Sequence, residues 1–255
     1  VRVTFLGTGT SHGVPAIGCR CETCSSPDPR DQRWRPSILL TTGGGASILV
    51  DASPDLRAQA LRFGVLRVDA LLLTHAHADH ILGFDELRQF NRLQRSRIPC
   101  YGDRPTVEAL RRTFAYAFDP ETPPAGGIPR VDTYTLAGGP FSLCRVEVTP
   151  VPLLHGSRPI LGFRTGRFAY LTDCSAIPDA SWPLLEGLEV VVLDALRDEP
   201  HPTHLTVAEA VEVARRLGAA RTLFTHMSHT LRHEPTSARL PHGIELAYDG
   251  LTIDL

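Results

Sequence analysis

At 255 residues, with 42% hydrophobic and 21% charged positions, the chain can bury one sizeable core or two small ones, which excludes a disordered or fibrous polymer. Its formal net charge of −2 is spread without a basic or acidic block, so nothing in it advertises a nucleic-acid or anionic-membrane surface. Every basic residue is arginine, a usage that reflects genome composition and also suits bidentate contact with phosphate. The opening "VRVTFLGTGTS" enters a strand pattern directly and no run of about 18 apolar residues occurs, so neither a signal peptide nor a membrane span is expected. Six cysteines, three of them crowded into "CRCETC", do not read as a disulfide framework, and the cytoplasm is the expected location.

Short apolar strands alternate with helical patterns throughout. "VRVTFLG" alternates, and "SILLTT" with "ASILVD" predicts a hairpin around Gly43, Gly44 and Gly45. The backbone of "GTGTS" (Gly7 to Ser11) reads equally as a close approach to a site or as a tight turn. "PDLRAQALRFG" has helical spacing with Gly64 as its stop, and "VDALLLT" is a continuous apolar strand followed by a helix through "DELRQFNRL". Strand "IPCYG" and helix "TVEALRRTFAYAF" follow, then a loop over 119–129. Strands are expected at "CRVEVTPVPL", "ILGFRTG", "FAYLTD" and "LEVVVLDA". Thr206 and Glu209 form a capping box ahead of the next helix, strand "RTLFTH" follows it, and "IELAYDG–LTIDL" reads as a closing hairpin. No composition break marks a boundary, so the expectation is one domain over 1–255, an α/β sandwich of two strand-rich halves with helices outside.

"LLLTHAHADHILGF" carries the chemistry. His75, His77, Asp79 and His80 fall within six positions at the end of a buried strand. A lone His is ordinarily a surface or satisfied core residue, but so many ionisable groups at the edge of a core are costly unless something satisfies them. His75 and His77, two apart on extended chain, can converge on one ion, and Asp79 and His80 at the start of the next helix can face a second. The helical H-E-x-x-H arrangement of zinc proteases does not occur. Two catalytic ions need more ligands, and the sequence offers His155 after "VTPVPLL", Asp173 after "FAYLT" and His226 after "RTLFT". All seven groups would then meet at one sheet edge.

The H-x-H-x-D-H pattern with the later His, Asp and His resembles the metallo-β-lactamase superfamily over essentially the whole chain. The resemblance implies a four-layer αββα sandwich. It also implies that His75, His77 and His155 hold a first metal, that Asp79, His80 and His226 hold a second, and that Asp173 bridges the two. Asp51, ending "SILVD", matches an aspartate that orients a ligand, although the glycine usual after it is replaced by alanine here.

A second cluster narrows the branch. "GVPAIGCRCETC" places Cys19, Cys21 and Cys24 in one loop; they are ordinary or redox-active thiols, or three ligands of a tetrahedral structural zinc. His229, in "THMSHT", is the best fourth ligand, and it would clamp a metal-binding insertion at about 12–36 against the catalytic rim. Together with "LGTGTSHGVPAIGCRCETC" and "THAHADH", this is similar to the PhnP-type phosphodiesterases, which hydrolyse a cyclic ribose phosphodiester. The resemblance implies two catalytic divalent ions, zinc or manganese, one structural zinc, a small phosphodiester substrate and a homodimer. It also places a phosphate-contacting or proton-donating His in "DEPHPTHLTVAEA", His204 with His201 in reserve; the alternative is two surface histidines in a Pro-rich loop. Asp194, at the preceding strand end, would support that His.

The expected chemistry is in-line displacement at phosphorus. Two ions about 3.5–4 Å apart share a water, lower its pKa to near neutrality and present hydroxide. Asp79, Asp173 and His204 are the residues expected to carry it, with His204 assisting the departing oxygen. Rival readings are another hydrolase on the scaffold (β-lactamase, thioesterase or tRNA-processing nuclease), a non-catalytic protein like PqqB, or a diiron redox protein. The Asp79–His80 pair favours phosphodiesters over lactams, no long basic arm suggests tRNA, and no length remains for a flavin domain.

Overall fold

A computed structural model describes residues 1–121, 123 and 127–255. The chain opens with β1 (Arg2–Gly7), and a long connection leads to β2 (Ser37–Thr41) and β3 (Ser47–Val50), the expected hairpin over the glycines. Helix α1 (Leu56–Phe63) stops at Gly64, whose φ of 65° is the left-handed cap that glycine adopts without strain. Then come β4 (Ala70–Leu72), a single turn α2 (Ala78–Ile81), α3 (Leu87–Gln94), β5 (Ile98–Gly102), α4 (Arg104–Thr113) and α5 (Ala115–Phe118). The helix expected across "TVEALRRTFAYAF" is broken between α4 and α5 at Phe114, whose ring turns into the core 4.8 Å from that of Phe84. The loop expected at 119–129 lies partly outside the described residues.

The second half supplies β6 (Val131–Thr135), β7 (Phe141–Leu143), β8 (Val146–His155), β9 (Arg158–Thr165), β10 (Phe168–Leu171) and β11 (Val190–Asp194). Helix α6 (Val207–Leu217) carries the predicted capping box: Glu209 N donates to Thr206 Oγ1 at 3.2 Å, and Thr206 N donates to the Glu209 carboxylate at 2.8 Å. β12 (Arg221–Thr225), α7 (His233–Ser237), β13 (Ile244–Leu246) and β14 (Thr252–Asp254) complete the chain.

The strands form two seven-stranded mixed sheets, in the orders β14-β1-β2-β3-β4-β5-β6 and β13-β12-β11-β10-β9-β8-β7. Alternate residues of each strand face opposite ways, so continuous apolar runs are buried twice. Ile48, Val50, Ala70 and Leu72 meet Phe168, Tyr170, Val190 and Val192 between the sheets. Leu49 and Leu71 pack outward on Leu56, Leu87 and Leu110 of the helices over the first sheet. Val191 and Leu193 pack outward on Val207 and Ala210 of α6 over the second. The result is the four-layer αββα sandwich anticipated from the sequence.

The final segment departs from expectation. β13 joins β12 in the second sheet and β14 joins β1 in the first, so "IELAYDG–LTIDL" is a crossing and not a hairpin. The turn between them is tied to the first sheet by Asp249, whose carboxylate accepts hydrogen bonds from Thr8 N (2.9 Å) and Trp34 N (2.7 Å). β6 and β7, missing from the sequence reading, are edge strands whose outward residues stay exposed and so lack a clear apolar pattern.

Direction is what positions the site. β1, β3 and β4 run parallel within the first sheet, as do β8, β10, β11 and β12 within the second, so each set ends at one edge. Ligand sites in open α/β sheets gather at the carboxyl ends of such strands. At the end of β1, "GTGTS" turns out to serve packing. A Cβ on Gly7 would lie 2.0 Å from Arg35 O, and one on Gly9 would lie 2.8 Å from Arg33 O.

Candidate metal centre

The strand ends bring all seven predicted groups together. His75 follows β4, Asp79 and His80 lie on α2, His155 ends β8, Asp173 follows β10 and His226 follows β12. Donor atoms of His75, His77, His155 and Asp173 fall within 4.8 Å of one another, as do those of Asp79, His80, Asp173 and His226. Asp173 belongs to both sets: its Oδ2 lies 3.6 Å from His75 Nε2 and 3.1 Å from His80 Nε2, and its Oδ1 lies 3.2 Å from His226 Nε2. Six of the seven groups are buried and His77 is half-buried.

Their surroundings fix which nitrogen each ring presents. Asp51 Oδ2, fully buried, lies 2.7 Å from His80 Nδ1, and the same carboxylate accepts Thr74 N (2.9 Å) and Thr74 Oγ1 (2.8 Å). His155 Nδ1 donates to Thr203 O at 2.8 Å. Both rings are thereby left with Nε2 free for a ligand role, the arrangement typical of metal-bound imidazole. Three of these strand-end residues, Asp51, Asp173 and His226, have φ near 60°. Asp and His tolerate this left-handed region better than most residues, and strain of this kind gathers at functional sites.

Charge balance fits a cation. Burial disfavours the ionised Asp173 and Asp79 carboxylates, yet the adjoining His80 and His226 outweigh it and hold both pKa values below the ordinary range. Burial likewise works against protonated His226, but Asp173 and Asp79 raise its pKa to about 9. His75 goes the other way, pushed well down by burial and by His80. Burial, His155 and the nearby Arg158 guanidinium lower His77. His75 Nε2, 3.6 Å from Asp173 Oδ2, is buried without any hydrogen-bond partner. An orphaned buried nitrogen facing clustered carboxylates is what a coordinated divalent ion would satisfy.

His204 and Asp194 extend the site. Asp194 Oδ2 accepts from Leu205 N (3.2 Å) and lies 3.1 Å from His204 Nδ1. The His204 ring stacks on His226 with centroids 4.8 Å apart and meets His155 at 4.7 Å. His201 packs 5.0 Å from His204, one ring farther out, with its Nδ1 turned to Thr203 of its own loop.

The cysteine loop lies beside His229, the candidate fourth ligand. Donor atoms of Cys19, Cys21, Cys24 and His229 all lie within 4.8 Å of one another, with His229 Nδ1 3.3 Å from Cys21 Sγ and 3.5 Å from Cys19 Sγ. Its contact with His229 and the Cys24 amide draws the Cys21 thiol down to about 6, while burial pushes Cys24 up to about 11. Three thiols and one imidazole in this grouping suit a closed tetrahedral site. Arg33 was not legible as part of this loop. It is buried and donates to Ser228 O (2.9 Å) and Leu231 O (2.6 Å), tying residues 31–33 to the segment that carries His229.

Fold and donor sets define a metal-dependent hydrolase. Residues 46–227 match the beta-lactamase superfamily domain, and the chain belongs to that superfamily. Within it the chain is closely related to the PhnP family. The crystal structure of a new diphosphatase from that family is 44% identical, covers 100% of this chain and 97% of its own, and superposes with a TM-score of 0.93. An octanoyltransferase from Porphyromonas gingivalis is 35% identical over 98% of this chain and 51% of its own length, so the chain spans about half of that relative. Coenzyme PQQ synthesis protein B from Cupriavidus necator is 26% identical over 99% of both chains. Among the described residues no helix is long and apolar enough to cross a membrane.

Proposed function

We propose that the protein is a two-metal phosphodiesterase acting on a small diester, a cyclic ribose phosphate among the candidates, to give an alcohol and a phosphomonoester. The observation that carries this reading is Asp173, one carboxylate shared by two four-residue donor sets. His75, His77 and His155 would hold one ion, Asp79, His80 and His226 the other, and Asp173 both. Imidazole and carboxylate ligands suit zinc or manganese. Cys19, Cys21, Cys24 and His229 would hold a structural zinc. The PhnP-family diphosphatase at 44% identity supports a phosphoryl substrate and extends the class to diphosphates.

When bound, two divalent ions supply an acidified water and positive charge beside the phosphoryl oxygens. The chain's own groups do the rest. Asp51 and the Thr203 carbonyl hold His80 and His155 in one tautomer. As the new P–O bond forms, the bond to the departing alcohol breaks, and His204, held at Nδ1 by Asp194, delivers a proton to that oxygen.

The test is metal content with turnover. Purified protein should carry about three ions per chain, one resisting mild chelation. Asp173→Ala should abolish hydrolysis of bis(p-nitrophenyl) phosphate while circular dichroism shows an intact fold. One ion or none, or retained turnover in Asp173→Ala, would overturn the reading.

A further inference from the structure

Arg158 occupies a place that the chemistry above leaves unused. It sits directly across from His155 in the β8–β9 hairpin, joined by the two-residue turn Gly156–Ser157. Directly opposed residues of an antiparallel pair project from the same face with Cβ atoms about 4.5–5.5 Å apart. Because His155 projects into the donor cluster, the Arg158 side chain leaves on that side too. The His77 ring, 5.0 Å from that of His155, borders the same space.

The hairpin is held firmly. Gly156 N donates to Ser175 Oγ at 2.8 Å, Leu154 N to Ala176 O at 3.0 Å, and His155 Nδ1 to Thr203 O at 2.8 Å. Gly156 has φ 62°, and a Cβ there would lie 2.9 Å from Thr203 Cγ2, so the turn admits no bulkier residue. Its backbone is fixed, yet the side chain is exposed. Among the described residues the Arg158 guanidinium has no carboxylate within 4.0 Å and donates no hydrogen bond. Arg35, another arginine close enough to influence the centre, is instead committed to Asp55, with Nε 2.8 Å from Oδ2.

A free planar fork of donors beside a metal centre suits an anion that the metals do not themselves hold. We propose that Arg158 recognises a second phosphate group of the substrate, distinct from the phosphoryl group that is attacked. This assignment rests on the phosphoesterase reading above and names its specificity: substrates with one phosphate bind through the metal centre alone, whereas those with two gain the guanidinium. The second group is either joined directly to the first, as in a diphosphate, or carried elsewhere on the alcohol.

Three nucleotides separate these cases. AMP, ADP and adenosine 3′,5′-bisphosphate are titrated calorimetrically into the metal-loaded protein and into Arg158→Gln and Arg158→Lys. Arg158→Gln should weaken ADP or the bisphosphate about tenfold and AMP by twofold or less, and Arg158→Lys should restore part of the loss. Loss confined to ADP identifies a diphosphate, and loss confined to the bisphosphate identifies a remote phosphate. Equal loss for AMP, unchanged affinity for all three, or no binding of either doubly phosphorylated ligand to the unaltered protein would overturn the assignment. Turnover of bis(p-nitrophenyl) phosphate by the unaltered protein is measured alongside. Absence of that turnover in the unaltered protein, with Arg158-dependent binding intact, would strike the phosphoesterase reading and not the anion site.

Discussion

Asp51 holds His80 from behind: its Oδ2 lies 2.7 Å from His80 Nδ1, while His80 Nε2 on the far side of the ring lies 3.1 Å from Asp173 Oδ2. The carboxylate fixes the tautomer and makes the opposite nitrogen a better donor to a cation. Asp51→Asn keeps the volume, and asparagine tolerates the φ of 61° at this position. Metal affinity at the site built on Asp79, His80 and His226 should fall about 10–100-fold, with the other site less affected. Competitive titration with a chromogenic chelator reads the two affinities, and unchanged values would show that Asp51 serves the fold alone.

Asp194 and His204 stand in a similar relation, 3.1 Å apart, and under the proposed mechanism the free nitrogen of His204 would serve a departing oxygen. A proton donor matters most when the leaving group is a poor one. His204→Gln should reduce kcat about 10²–10⁴-fold for alkyl diesters and far less for p-nitrophenyl diesters, whose leaving oxygen needs no proton. A plot of log kcat against leaving-group pKa would therefore steepen in the variant. Parallel lines for the two proteins would assign His204 to substrate positioning.

Three strand ends carry one signature, Thr74–His75, Thr172–Asp173 and Thr225–His226, and all three threonines are fully buried. An apolar run that closes on a small hydroxyl and then a ligand is visible in the bare sequence, which is why these three residues could be singled out as candidate donors before any geometry. The cysteine spacing was legible for the same reason, since thiols in one loop need no fold to bring them close. Other features leave no such trace. The Thr203 carbonyl that orients His155 carries no side-chain identity, and neither the left-handed backbone at Asp51, Asp173 and His226 nor the role of Arg33 follows from local pattern. β13 and β14 misled because a short strand–turn–strand pattern fits a hairpin and a sheet-to-sheet crossing equally well. What decided between them is Asp249 gripping Thr8 and Trp34, a contact across more than 200 residues.

The Cys19–Cys21–Cys24–His229 cluster joins the segment before β2 to the one after β12, so a zinc there closes a loop of roughly the whole chain. Cys21→Ser removes one of four ligands, and a three-ligand site loses most of its affinity. Thermal unfolding should drop by several degrees and one ion per chain should be lost. The remaining folded protein should turn over bis(p-nitrophenyl) phosphate within about threefold of the unaltered enzyme, because the cluster does not touch the reacting atoms. Full metal content with an unshifted midpoint would remove the structural role.

His233, which belongs to neither donor cluster, places a pH response in the fold. It is buried, its Nδ1 has no hydrogen-bond partner, and its backbone N donates to Asp31 Oδ1 at 2.7 Å. Burial, reinforced by Arg30 and Arg33, lowers its pKa to about 4. Unfolded chain protonates this imidazole near pH 6.5, so between about pH 6.5 and 4 the unfolded state binds more protons and stability rises with pH. The contribution is fully present above pH 6.5 and is lost as pH falls to 4. Allowing for partial solvent screening, its size is on the order of 1–3 kcal/mol. His233→Gln removes the titrating group and leaves the metal ligands in place, so subtracting its stability profile from that of the unaltered protein cancels acid release of metal. The difference should be flat above pH 7 and slope through the window from 6.5 to 4. A flat difference down to pH 4 would mean that His233 titrates as it does in the unfolded chain, and that burial beside Arg30 and Arg33 costs the protonated form nothing.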